Sequence, residues 1–200
     1  SVSIIPFWTP ATLLPESVAS EATELLVFSR NVPGTNLSAA AVYRYVSGKG
    51  WYHEVEVANH LPIYPDESVV LRNKEDAPLS LTQFGNVPLS AFRTVLSPVM
   101  EHVDQDLRLT TGLPVSVALR DLIDPGSDGV GDQILIFDHE QGGVNREAKV
   151  TATYVEGKGW MDGDTDVNDH IFERGRGFIY RKTSANKNDL LIQYKPAYQD

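Results

Sequence analysis

Gly48-Lys49-Gly50-Trp51 and Gly157-Lys158-Gly159-Trp160 are the same four residues met twice, 109 positions apart. Sliding the chain on itself by that interval, without gaps, pairs Leu13 with Leu122, Leu26 with Leu135, Phe28 with Phe137, Gly34 with Gly143 and Asn36 with Asn145. It also pairs Ala39 with Ala148, Tyr45 with Tyr154, Val46 with Val155, Asn59 with Asn168, Arg72 with Arg181 and Leu81 with Leu190. These make about fifteen identities over roughly seventy positions, concentrated at Gly, aromatic and Asn sites where backbone or packing restricts choice. The sequence therefore reads as an internal duplication, with a first β repeat over 1–98 and a second over 99–200.

Each repeat has a physical reading. An apolar run (24–28 or 133–137) is followed by a Gly/Asn loop and a strand ending in Tyr-Val. The Gly-Lys-Gly turn then reverses the chain, because glycine reaches the positive φ values a tight hairpin needs. Trp opens the return strand, where its indole meets Tyr45 or Tyr154 across the hairpin. Short apolar alternation at 40–46, 51–57, 69–72, 79–84, 87–95, 149–155, 178–181 and 190–194 predicts further strands. Helical signal is brief. Thr9-Pro10 offers an N-cap with Pro at the first helical position and Pro15 stops the turn; 116–123 offers one or two turns before Pro125-Gly126. The stretch 100–109 reads as a short helix or an irregular connection. The expected class is all-β: two tandem homologous antiparallel β-sandwich or partial-barrel units with one short helix each.

Composition narrows function by exclusion. In 200 residues, 17 Lys and Arg stand against 27 Asp and Glu, for a net charge of -10. A chain this acidic lacks the basic stripe that phosphate neutralisation requires, so no nucleic-acid partner is expected. Cysteine is absent, which removes disulfides, thiolate metal sites and Cys nucleophiles. No apolar run approaches the roughly 18 residues of a membrane span. The chain opens on Ser1, which is expected to reflect cleavage or trimming of a longer precursor.

Ile4-Ile5-Pro6-Phe7-Trp8-Thr9 followed by Leu13-Leu14-Pro15, then Asn36-Leu37-Ser38-Ala39-Ala40, the two Gly-Lys-Gly-Trp hairpins and the segment from Gly175-Arg176-Gly177 to Lys182 occur in one order. Together they resemble a family of uncharacterised, exported, β-rich bacterial proteins present as multiple paralogues in some genomes. The resemblance spans essentially the whole chain. It implies a location outside the cell or on its surface and a β fold. It carries no activity with it.

Among candidate sites, Asp162, Asp164, Asp166 and Asn168 alternate as calcium ligands do, with Glu173 twelfth from Asp162. Val167 stands where a calcium loop wants Gly, and the matching stretch from His53 to His60 reads as an alternating strand, so the competing reading is a solvated acidic hairpin and no cofactor. Trp51, Tyr52 and Trp160 beside Gly turns suit a sugar-stacking platform; the shared repeat position of the two Trp favours closing the core instead. The five histidines lack metal spacing, no nucleophile elbow occurs, and Gly175-Arg176-Gly177 precedes a strand where a phosphate loop needs a helix. The chain is not expected to be an enzyme. The expected function is that of an exported structural, self-assembling protein, a subunit of a filament, sheath or surface layer. Its apolar terminal segments, with Ile4, Ile5, Phe7 and Trp8 at one end and Leu191, Ile192 and Tyr194 at the other, are expected either to add as strands to a neighbouring copy or to complete their own repeats. The alternative is a carbohydrate- or surface-ligand-binding β module, with or without calcium.

Overall fold

The computed structural model describes residues 8–63, 68–75, 77, 79–81, 92–97, 99–100, 102–110, 115–138, 140–143, 146–183 and 189–194, with 190–194 and 92–94 by backbone alone. The protein is mostly β and sandwich-like, with one four-residue α-helix in each of two compact units. Unit one comprises Ser1–Ser29 and Ser38–Asn86; unit two comprises Arg30–Leu37 and Val87–Asp200. The boundary drawn from sequence, between 98 and 99, falls inside the second of these units.

Unit one starts with helix α1 (Pro10–Leu13). Its formation is local: the Thr9 side chain accepts from the Thr12 amide, the Thr12 hydroxyl reaches back to the Thr9 amide, and Pro10 occupies the first turn. Strands β1 (Thr23–Val27), β2 (Ala41–Val46), β3 (Gly50–His53), β4 (Glu56–Val57) and β5 (Val70–Asn73) form one antiparallel sheet in the order β4-β3-β2-β1-β5. The stretch 51–57, expected as one strand, is a hairpin: Glu54 takes φ 55 and turns the chain, so His53 faces Glu56. Beneath the sheet lie Leu14, Leu25, Tyr45, Trp51 and Ala58.

Unit two has strands β6 (Phe92–Leu96), β7 (Gln105–Thr110) and β8 (Val117–Ala118), helix α2 (Leu119–Leu122) and a 3-10 turn at Gly126–Gly129. Then come β9 (Gln133–Ile136), β10 (Val150–Val155), β11 (Gly159–Asp162), β12 (Thr165–Asp166), β13 (Ile171–Phe172), β14 (Gly177–Lys182) and β15 (Leu190–Tyr194). The main sheet runs β12-β11-β10-β9-β14-β7, with two-stranded pairs β13-β8 and β15-β6 beside it. The stretch 100–109, read from sequence as a short helix or irregular connection, contains most of strand β7. Its alternation of Leu107 and Leu109 over the core outweighs the weak helical signal, since both side chains are buried against the sheet.

Element for element, α1, β2, β3 and β4 recur 109 residues later as α2, β10, β11 and β12 with identical limits. The Trp8–Ile63 bridge recurs as Val117–Phe172. In both hairpins the second Gly of the turn, Gly50 or Gly159, has positive φ, and a Cβ there would collide with the Asn59 or Asn168 side chain. That vacancy lets the amide oxygen of Asn59 accept from the Trp51 N–H at 2.6 Å, and that of Asn168 from the Trp160 N–H at 2.8 Å. The two Asn side chains latch the start of the Trp strand. Strand β7 contributes Leu107 and Leu109 to the second core, which among the described residues gathers thirteen buried residues against five in the first.

Candidate functional site

The two hairpin tryptophans, Trp51 and Trp160, are each 1% exposed. The Trp51 indole N–H donates to the Leu14 carbonyl at 3.1 Å, the Trp160 indole N–H to the Ile123 carbonyl at 2.9 Å, and each ring meets its Tyr edge-on. Burial of this depth fits the core-closing role of both rings, while Trp51 also lines an open cleft beside its hairpin. Tyr52 is half-buried on β3 and sits opposite Arg44. An open cleft of about 350 Å³ runs beside the first hairpin, with Glu16, Tyr45, Lys49, Asn59 and His60 among its lining. Burial, followed by the Glu16 carboxylate, pushes the Tyr45 hydroxyl pKa above its ordinary value.

The acidic stretch 162–169 is a tight hairpin in which Met161 faces Asp166 and Asp162 faces Thr165. Directly opposed residues share a face of the ribbon and neighbours along a strand do not, so Asp162, opposite Thr165, and Asp166, opposite Met161, lie on opposite faces. Asp166 Oδ1 accepts from the Asn168 backbone and side-chain amides, and Asn168 also donates to the Lys158 carbonyl. Glu173 pairs with Arg176 at 3.1 Å. Asp162 and Asp164 flank the turn at Gly163. Among the described residues no group of three His, Asp or Glu is placed to hold a metal ion.

Of the terminal segments, Ile4, Ile5 and Phe7 lie outside the described residues. Trp8 bridges to Ile63 within its own unit. Leu191, Ile192 and Tyr194 lie on β15, which pairs antiparallel with β6, setting Leu191 opposite Val95, Ile192 opposite Thr94 and Tyr194 opposite Phe92. Among the described residues this ribbon has two strands only.

The best-built polar sites lie where the outermost strand of each main sheet meets its neighbour, β5 on β1 and β7 on β14. In unit one, the side chain of Glu24 is 3% exposed on β1 and receives Lys74 Nζ at 2.6 Å, Arg44 Nε at 3.1 Å and Arg72 Nη1 at 3.2 Å. Burial alone pushes this carboxyl up; hydrogen bonds from Lys74 and Arg44, the Lys74 charge and Arg72 outweigh it and hold the pKa below the ordinary 4.5. A carboxyl with a lowered pKa contributes stability above its unfolded value, and the contribution disappears as pH falls through the folded one. The stability of unit one against urea is therefore expected to fall on acidification below the ordinary 4.5 in the native chain and less steeply in Glu24→Gln, the two curves drawing together as pH drops through the lowered pKa of Glu24. Parallel curves would contradict this assignment.

In unit two the corresponding Arg181, on β14, meets a carboxylate from strand β7. Asp106 accepts from Arg181 Nε at 2.7 Å and Nη2 at 3.1 Å, and from the Asn36 amide at 2.8 Å. Its neighbour Gln105 donates to the Arg30 carbonyl and accepts from the Val99 amide, and the Asp106 amide donates to the Gly34 carbonyl. Segment Arg30–Leu37 is thereby fastened along β7. The hydrogen bond with Asp106 raises the Arg181 pKa, against burial. Sequence reasoning missed this clasp; the recurring Arg72/Arg181 pair was its only trace.

On the core side of β14, the Tyr180 hydroxyl donates to buried Asp132 at 2.6 Å; burial, then the Asp132 charge, pushes the phenol pKa up. Nearby on the same strand, Lys182 is 2% exposed and its Nζ has no hydrogen-bond partner among the described residues. An apolar side chain of the same length removes that desolvation, so Lys182→Met is expected to stabilise unit two by about 1–2 kcal/mol. Chemical denaturation reads the change; a loss of stability would mean that Nζ is satisfied.

Among the described residues, no helix is long and apolar enough to cross a membrane. Comparison with known proteins returns no matching family model, no matching curated protein and no matching solved structure.

Proposed function

We propose that this chain is an exported structural protein that assembles with itself through β-strand contacts, as a subunit of an extracellular filament, sheath or surface layer. One observation carries the reading. Strand β5 pairs with β1 alone among the described residues, and its Val70 and Leu71 are 43% and 39% exposed. The matching residues of β14, Ile179 and Tyr180, are 8% and 0% exposed. An edge that leaves apolar side chains in water is a template for an incoming strand, and proteins that stay monomeric usually blunt such edges. Export is supported by the family resemblance and is compatible with a cysteine-free chain.

Sedimentation velocity over a concentration series, with electron microscopy of the most concentrated sample, tests the reading. Species that grow with concentration are expected. A monodisperse monomer up to about millimolar chain would overturn it, because specific interfaces of ordinary size hold well below that concentration.

A further inference from the structure

We propose that the cleft beside the first hairpin binds one ring of a neutral polyhydroxylated ligand, a free sugar or the end of a glycan chain, among Glu16, Asn59 and His60. The site is independent of self-assembly and belongs to one repeat only. The difference between the two repeats carries it. In unit two the matching place is bridged by the protein's own groups: Arg120 Nη1 of α2 meets Asp169 Oδ1, in the loop after β12, at 2.6 Å. The Asn168 side-chain amide donates to the Lys158 carbonyl and to Asp166 Oδ1, and the Tyr154 hydroxyl donates to Asp124 Oδ1 at 2.9 Å. Moved back by 109 positions, Arg120 becomes Ala11, Asp169 becomes His60 and Asp166 becomes Val57. Ala11 and Val57 have no polar side-chain atom. The bridge therefore has no counterpart in unit one, and the Asn59 amide nitrogen has no carboxylate at the position that holds Asn168. What remains is a cleft of about 350 Å³, within the ~300–1,000 Å³ of small-ligand sites.

The opening belongs to the hairpin itself. In unit two, strands β7 and β8 precede α2, yet the Arg120 and Asp169 side chains stay 59% and 78% exposed. No described segment ahead of the repeat covers that place; its own side chains bridge it. The lining also selects the ligand class. A carboxylate at Glu16 accepts several hydrogen bonds at once, the Asn59 amide nitrogen donates, and a neutral imidazole at His60 does one of each. Tyr45 and Trp51, edge-on at 5.7 Å, put aromatic carbon beside these groups. Lys49 balances the charge of Glu16, so neither an anion nor a cation meets a net opposite charge. A ring with adjacent hydroxyls matches this arrangement, because each hydroxyl both donates and accepts and the ring C–H groups lie against aromatic carbon.

The test is saturation-transfer NMR of the full chain with D-glucose, D-galactose, D-mannose and N-acetyl-D-glucosamine, each offered free and as the non-reducing end of a trisaccharide. Saturable binding of at least one probe is expected, with hydrogen exchange slowed at residues 48–51 and 59–60. Tighter binding of the free sugar identifies a free ligand, and tighter binding of the trisaccharide identifies a glycan end; either supports the site. Glu16→Gln is expected to bind at least about tenfold more weakly, as the loss of a charged acceptor implies. The double variant Ala11→Arg with His60→Asp, which carries the bridge of unit two into unit one, is expected to lose binding. Circular dichroism checks that both are folded; if the double variant is not, Glu16→Gln and the exchange map decide. No saturable binding by any probe up to about 100 mM overturns the site. So does binding unchanged in Glu16→Gln, or protection at residues 157–160 in place of 48–51. Tighter binding of glucose 6-phosphate or of glucosamine than of glucose overturns the neutral ligand class.

Discussion

Trp160→Ala is expected to remove about 3–5 kcal/mol from the second unit, the usual range for a large aromatic truncated in a core. The indole is 1% exposed and packs edge-on against Tyr154 at 5.2 Å and Tyr180 at 6.5 Å, so the void has aromatic walls on two sides. Truncation also leaves the buried Ile123 carbonyl without the indole N–H that reaches it at 2.9 Å. Against a typical domain stability of about 5–15 kcal/mol, such a loss brings the unit near its threshold. Urea unfolding followed by near-ultraviolet circular dichroism measures it, while Trp51 fluorescence reports on unit one. A loss under about 1 kcal/mol would show that the indole is not a core member. It would also reopen the stacking role that its burial now denies it.

Asp106→Ala is expected to have an effect of similar size by a different route. The carboxylate is 3% exposed at residue level and satisfies two Arg181 nitrogens and the Asn36 amide. Removing one partner of a buried pair leaves the other charge desolvated and unpaired, which typically costs about 3–5 kcal/mol. Arg181, with its side chain 19% exposed, has little room to escape into water. The signature beyond stability is local: amides of Arg30–Leu37 should exchange faster, because their fastening to β7 has lost its centre. Asp106→Asn keeps an acceptor for Asn36 and loses the charge, so it should fall between native and Ala. Unchanged exchange at Asn36 in Asp106→Ala would refute the clasp.

These two residues mark the range of what the sequence disclosed. Trp160 was legible because its hairpin is local: Gly157 and Gly159 force the reversal, and Tyr154 lies six residues before it and faces it. The hairpin pairing and the short helix at Thr9-Pro10 follow from neighbours in the chain for the same reason. Asp106 was not legible. Its partners Asn36 and Arg181 lie 70 and 75 residues away, and no local pattern announces a contact of that span. The acidic stretch 162–169 was open to two readings in the sequence, a calcium spacing or an acidic hairpin; strand pairing makes it a hairpin, with Asp162 and Asp166 on opposite faces.

By itself, the sequence determined an all-β chain, the two Gly-Lys-Gly-Trp hairpins and the absence of any cysteine-based chemistry. Those properties depend on residue type and on contacts within a few positions, where glycine conformation and period-two alternation act directly. Only the tertiary structure decided which edges are closed. It fastened Arg30–Leu37 and β7 to the second unit, and left Leu71 at an edge where Tyr180 is covered. Strand neighbours are chosen by long-range burial and charge pairing, and every strand carries the same backbone groups on both of its edges. Periodicity therefore says that a segment is a strand, and packing says what lies beside it.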